Sequence, residues 1–237
     1  SLGNIGDELG TSRLVMGFPL WGEQFVADFL NLHLPSLLTN NLDGIASVLY
    51  VDGAAEQALR NLPYPIYFRR LPDAIMEGLR REPEHRYVLL AAVHNLLINE
   101  AASIGAGFHM SCPDAIYSDG YFDRLGRLAK QHAAIVQSAL VLSKSAGREA
   151  LEKLRQNRTI LMASAVDLGR IAWECLNSQM ASWTMDGNID FNEMPWSHFI
   201  FWRGKDTVRI HCAHANPIWI NAERCKKAGT AVGGTID

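Results

Sequence analysis

The stretch from His94 to Gly120, HNLLINEAASIGAGFHMSCPDAIYSDG, constrains the fold more than any other part of this chain. It reads as the end of an amphipathic helix, a glycine-containing turn, a short apolar strand, and an acidic residue where the strand stops. In an open α/β sheet, ligands bind just outside the carboxyl ends of the strands. The segment FHMSCPD therefore delivers Asp114 to a place suited to a metal, a phosphate or a sugar.

The rest of the pattern agrees with such a sheet. Arg13 to Gly17 (RLVMG) is an apolar run ending in Gly-x-Pro, the first strand and its turn. Gly22 to Leu38 places Phe25, Val26, Phe29, Leu30, Leu34, Leu37 and Leu38 at helical spacing. Ile45 to Val51 (IASVLYV) is a continuous apolar strand closed by Asp52-Gly53, followed by a short helix to Leu62 and a strand at Pro65 to Phe68. Arg86 to Ile104 is the most apolar helix, Phe108 to Ser111 the next strand, and Ala133 to Leu142 (AAIVQSALVL) another. Ser164 to Met180 is a helix, and Phe199 to Trp202 with Thr207 to Cys212 form a hairpin. The expected fold class is α/β: a mainly parallel, Rossmann-like sheet with helices on both faces and a C-terminal antiparallel hairpin. Residues 1–12 read as a linker or a disordered N-terminus, 13–221 as one domain (a ligand-binding half to about 120 and an acceptor half beyond it), and 222–237 as a flexible tail.

At 237 residues, nearly half of them apolar and a fifth charged, the chain has material for a core that needs no disulfide or metal. Its formal net charge of −3, without a basic stripe, argues against a nucleic-acid partner. The four cysteines, at 112, 175, 212 and 225, show no CxxC spacing and suit a reducing cytoplasm. No signal peptide and no apolar run of about 18 residues is present, so any membrane contact is expected to be peripheral.

Candidate site residues cluster at strand ends. Pro19, Trp21, Gly22 and Glu23 follow strand one; a base could stack on Trp21 or Phe18, and Glu23 could accept a ribose hydrogen bond. The same residues also fit a tight turn whose tryptophan packs inward. Asp52 would face the same crevice, or close the strand as an Asx turn. His94 and Asn95 lie in the apolar helix, where they either touch a phosphate or bond a neighbouring strand end. Asp114 suits a divalent cation, magnesium or manganese, whereas Asp119 suits the cap of a helix beginning near Tyr121. His211-Cys212-Ala213-His214 lacks a second cluster for structural zinc; His214 is the candidate metal or phosphate contact.

The segment Ala91–Gly120, with His94-Asn95, Ala101-Ala102, Gly105 to Gly107 and Phe108 to Asp114, resembles the GT-A type of glycosyltransferases, particularly the large inverting family of bacterial polysaccharide enzymes. Trp21-Gly22-Glu23, Pro113-Asp114 with Ser118-Asp119-Gly120, and His211-x-x-His214-x-x-Pro217 resemble still more closely a set of little-characterised bacterial members, over residues 13 to 220. The resemblance implies a GT-A-like fold and transfer of a sugar from a nucleotide-diphosphate donor to a hydroxyl acceptor, a sugar or glycolipid, assisted by manganese or magnesium at Asp114. One departure stands out: where the family carries Asp-x-Asp, this chain has Cys112-Pro113-Asp114, so one metal-binding carboxylate is missing and a cationic or histidine contact could replace part of its role. The catalytic base expected of inverting members falls on Asp190 or Glu193 in the loop TMDGNIDFNEMPW, which also reads as a solvated acidic surface. The alternative is a non-catalytic nucleotide- or partner-binding module of the same fold within a larger polypeptide. Nucleotidyl transfer would want a glycine- and Lys/Arg-rich loop after strand one, and none occurs.

Overall fold

A computed structural model describes residues 13–62, 64, 66–137, 140–156, 158–178, 181, 200–203, 208–211 and 216–223. The first half of the chain alternates strand and helix. Strand β1 is Leu14–Leu20, β2 Ile45–Val51, β3 Ile66–Arg70 and β4 Gly107–Met110. Between them run helix α1 (Glu23–Asp28), a π-turn (Phe29–His33), α2 (Leu34–Leu37), α3 (Gly53–Leu59), α4 (Asp73–Arg81) and the long α5 (Arg86–Ser103). After β4 come α6 (Tyr121–Ala129), β5 (Ala134–Gln137), α7 (Lys144–Arg155), α8 (Ala165–Glu174), β6 (Ile200–Arg203), β7 (Val208–His211) and β8 (Asn216–Asn221).

Among the described residues, six strands form one sheet in the order β3-β2-β1-β4-β8-β5. β3, β2, β1 and β4 run parallel, and β8 lies antiparallel between β4 and β5. The α/β expectation holds, with a mostly parallel core. The antiparallel member of the main sheet is β8, whereas the expected hairpin, β6 and β7, pairs as a separate two-stranded sheet. The expected strand over 133–142 is shorter, and Leu142 instead bridges to Leu176.

Continuous apolar runs make the central strands because both of their faces are covered. Val15, Ala46, Val48, Tyr50 and Phe108 face one core layer with Met76, Leu89, Val93 and Leu97 of α4 and α5. Met16, Phe18, Leu20, Leu49 and Val51 face the other, with Phe29, Leu37, Leu59, Phe122 and Leu125. Each such side chain contributes roughly 1.5–3 kcal/mol when fully buried. The expected uniform helix over 22–38 is interrupted by the π-turn. Its extra residue shifts the helix face, so that every residue from Leu32 to Leu37 is buried while Phe25 is left exposed. β1 also continues three residues beyond the expected turn, through Pro19 to Leu20. The β1–β4 ladder ends at Gly17↔Met110, before the missing N–H of Pro19 matters to it.

At Gly17 the strands leave no room for a side chain: a Cβ there would collide with the main-chain oxygen of Val48 and meet Leu97 at 3.0 Å. Gly17→Ala should therefore lower stability by about 1–3 kcal/mol or more. Gly78→Ala, in α4 with open space around it, should be neutral or add roughly 0.5–1 kcal/mol. Urea denaturation of both variants checks this, and equal midpoints would refute it.

Candidate functional site at the carboxyl edge of the sheet

The order of the parallel strands places a crevice. From β1 the chain builds outward to β2 and β3, then returns through α5 to β4 on the other side of β1. Connections diverge at this point, and the carboxyl ends of β1 and β4 open between them. The register aligns Leu20 with Val51, and Val51 with Arg70. The next residues, Trp21 and Asp52, thus share one edge with Arg70, while Ser111 to Asp114 extend beyond β4 on the far side of β1.

Trp21 is half-buried and leans on the α4–α5 core layer, with its ring 6.2 Å from that of exposed Phe25. Gly22 follows at φ 77° with open space around it, a left-handed conformation that glycine adopts without strain, and starts α1 with Glu23 exposed in its first turn. Pro19 is buried inside β1. Phe18 is fully buried, which removes it as a stacking surface and leaves Trp21. Asp52 is half-buried and caps α3, its Oδ1 accepting from the Ala55 N–H at 2.7 Å.

Two arginines at the end of β3 escaped the sequence reading, which stopped that strand at Phe68. Arg70 is exposed, 3.6 Å from Asp73, and its Nη2 lies 3.3 Å from where a Gly53 Cβ would stand. It places a guanidinium beside Gly53, the first residue of α3. The consecutive Arg69-Arg70 at the end of an apolar run was the available signal.

Asp114 is exposed in the loop after β4. Burial holds the thiol of nearby Cys112 well above its usual pKa, and the Asp114 carboxylate adds to that shift. His94 and Asn95 stand apart from this edge, on α5. His94 is buried, with Nε2 3.3 Å from the Ser111 carbonyl, so it braces the end of β4. Asn95 is half-buried, and its carbonyl accepts from Asn99. Asp119 does not cap α6, whose first cap is Gly120; it ties to Ala163 by main-chain and side-chain bonds of 2.8 and 3.3 Å. Asp190, Glu193 and His214 lie outside the described residues. Among the described residues, no three His, Cys, Asp or Glu side chains gather to hold a metal ion. Asp114 and Cys112 alone do not fit magnesium or manganese, because one carboxylate and one soft thiol are too few oxygen ligands for a hard divalent cation.

Beneath the edge lies a buried polar cluster. His33, in the π-turn, stacks on Phe29 and meets Tyr117 edge-on at 5.4 Å. Burial lowers its pKa to about 3, against the opposing effect of the Ala115 and Cys112 main chain; neither imidazole nitrogen makes a well-aligned hydrogen bond. A cavity of about 10 Å³, space for one water centre, is lined by His33, Ser47 and Tyr64, the last two sharing a 2.9 Å bond. Burial likewise lowers the pKa of His94 to about 4.

Comparison with known protein families, curated proteins and solved structures returned no match to this chain. Among the described residues, no helix is long and apolar enough to cross a membrane.

The buried histidines set a pH dependence. Unfolded, each takes up a proton near pH 6.5; folded, only near pH 4 (His94) or 3 (His33). Between pH 6.5 and those values the unfolded chain binds more protons, so stability falls as pH falls. Each imidazole adds a slope approaching 1.4 kcal/mol per pH unit. Urea titrations from pH 7 to 5 should show this decline, and His33→Phe should make it shallower by about one proton. An unchanged slope in that variant would refute the assignment.

Proposed function

We propose that the chain is a glycosyltransferase of GT-A type, moving a sugar from a nucleotide-diphosphate donor to a hydroxyl acceptor. One observation carries the reading: a flat aromatic ring, a guanidinium and carboxylates stand at the carboxyl ends of neighbouring parallel strands where the strand order reverses. A nucleotide uses each of these groups. The base stacks on Trp21. Ribose hydroxyls donate to Glu23 and to the Asp52 oxygen that the helix cap leaves over. Arg70 matches phosphate oxygens with two parallel N–H donors. Asp114 accepts hydroxyls at the sugar end, and a carboxylate, with Asp190 and Glu193 as candidates, takes the acceptor proton as its oxygen attacks the anomeric carbon. The diphosphate then leaves with its charge balanced by donors at this edge. The described residues do not build a divalent-metal site, so no step is assigned to manganese or magnesium.

Cys112 favours a second reading, a nucleotide-binding module without turnover, because a buried neutral thiol replaces an acidic group beside Asp114.

A thermal-shift panel of UDP, GDP, CMP and their sugars, with and without manganese, is the direct test. A ligand at a hundredfold its dissociation constant adds about 2.7 kcal/mol, roughly 5 °C or more in Tm for a chain of this size. One nucleotide should produce that shift in the native chain, and Trp21→Ala and Arg70→Ala should abolish it. Arg70→Ala, at an exposed position, should leave the basal Tm unchanged, whereas Trp21→Ala should lower it because the ring packs on the core. Asp114→Ala should keep the nucleotide shift and lose at least 100-fold in sugar transfer. Binding without transfer would select the module; no shift with any nucleotide would overturn both readings.

A further inference from the structure

The loop from Ser111 to Asp119 carries Asp114, and its hydrogen bonds are unlike those of a solvated connection. The Ser111 Oγ and the Tyr117 hydroxyl share a hydrogen bond of 2.6 Å. This joins the first residue beyond β4 to one six positions later and closes a ring with Asp114 near its middle. The same hydroxyl lies 3.1 Å from Nε2 of His109, a buried residue of β4, so the ring is fixed to the sheet. The Tyr117 main-chain N–H donates to Ser36 Oγ at 3.1 Å, and that hydroxyl donates to the His33 carbonyl at 2.8 Å. The loop is thereby fixed to the helical layer as well. The end of the loop is tied to Ala163 through Asp119, and its start is braced by His94 at the Ser111 carbonyl.

Tyr117 is 5% exposed, enclosed by Tyr121, Phe122, His109 and His33 with ring centroids 4.9 to 5.7 Å away. Burial keeps its hydroxyl protonated well above the usual tyrosine range, so it always has one proton to donate and lone pairs to accept with. Ser111 and His109 lie two apart at the strand end and so present to one side, where a single phenol reaches both. Asp114, three residues before Tyr117, stays exposed.

We infer that Tyr117 is a positioning residue: its hydroxyl, held between Ser111 and His109, closes the loop that presents Asp114 at the carboxyl edge. This rests on the role given above to Asp114 in sugar transfer, while the clasp itself is open to a test that needs no turnover. Tyr117→Phe keeps the ring and removes the hydroxyl. Amide hydrogen exchange of residues 112–116, excluding Pro113, should quicken at least tenfold, with protection of β1 and β2 unchanged. Ser111→Ala, which leaves the His109 bond in place, should quicken the same amides by a smaller factor, and it carries the test if the phenylalanine variant does not fold. In sugar transfer, Tyr117→Phe should lower kcat at least tenfold and leave KM for the nucleotide donor within twofold, because the base and ribose contacts lie on β1 and β2.

Exchange unchanged at 112–116 would overturn the clasp, as would quickening spread evenly through the sheet, which marks a purely core tyrosine. Local quickening with unaltered kcat would overturn the link to Asp114. Local quickening in a chain that binds no nucleotide would uphold the clasp and sink the transferase reading instead.

Discussion

Covering β1 on both faces is the constraint on which everything else in this structure depends. A strand with Val15 facing one helical layer and Met16, Phe18 and Leu20 facing the other is stable only if both layers are present. That requirement demands crossover helices, and crossover helices make the neighbouring strands parallel. Parallel strands in turn deliver all their carboxyl ends to one edge. Trp21, Asp52, Arg70 and Asp114 lie along that edge because each follows or ends a parallel strand.

The edge and the layer beneath it divide the work. Exposed or half-exposed groups (Trp21, Glu23, Arg70, Asp114) stand open along the edge, whereas buried ones hold the backbone that carries them. His94 braces the end of β4, and Ser36, sitting in the helix that follows the π-turn, receives the loop from the other side. Arg148 pairs with largely buried Asp28, and Arg155 donates to the Asn31 carbonyl at 2.8 Å, so α7 holds the π-turn in place from outside.

Much of the parallel core was legible in the sequence. IASVLYV coincides with β2 because a strand buried on both faces must be apolar at every position, and that pattern is local. The long α5 was readable for a similar reason. β8 was not. NPIWIN opens with Asn-Pro and has no helix or strand period of its own; β4 and β5 on either side make it a sheet strand. α7 escaped because half of KSAGREALEKLR is charged and it buries only Gly147 and Leu151. At the edge, Trp21 and Asp114 announced themselves by following apolar runs, although whether they act on a ligand is not something spacing can decide. The polar cluster was invisible for a physical reason: the bond between Tyr117 and Ser36 spans 81 positions, and no local pattern encodes it.

The position of β8 also dictates a chronology. Among the described residues, β5 pairs with the main sheet only through β8, which is separated from it in sequence by α7, α8 and the β6–β7 hairpin. As the chain leaves the ribosome, β1 to β4 can pair as soon as they emerge, but β5 must wait for nearly eighty further residues before its partner exists. Until then the β4 side of the sheet is an open edge with unpaired main-chain groups, the kind of surface that recruits strands from other molecules. Losing the last two dozen residues would leave that edge open permanently and would also strip Trp219, Ile220 and Ala222 from the two core layers, so one short segment both seals the sheet and completes its packing.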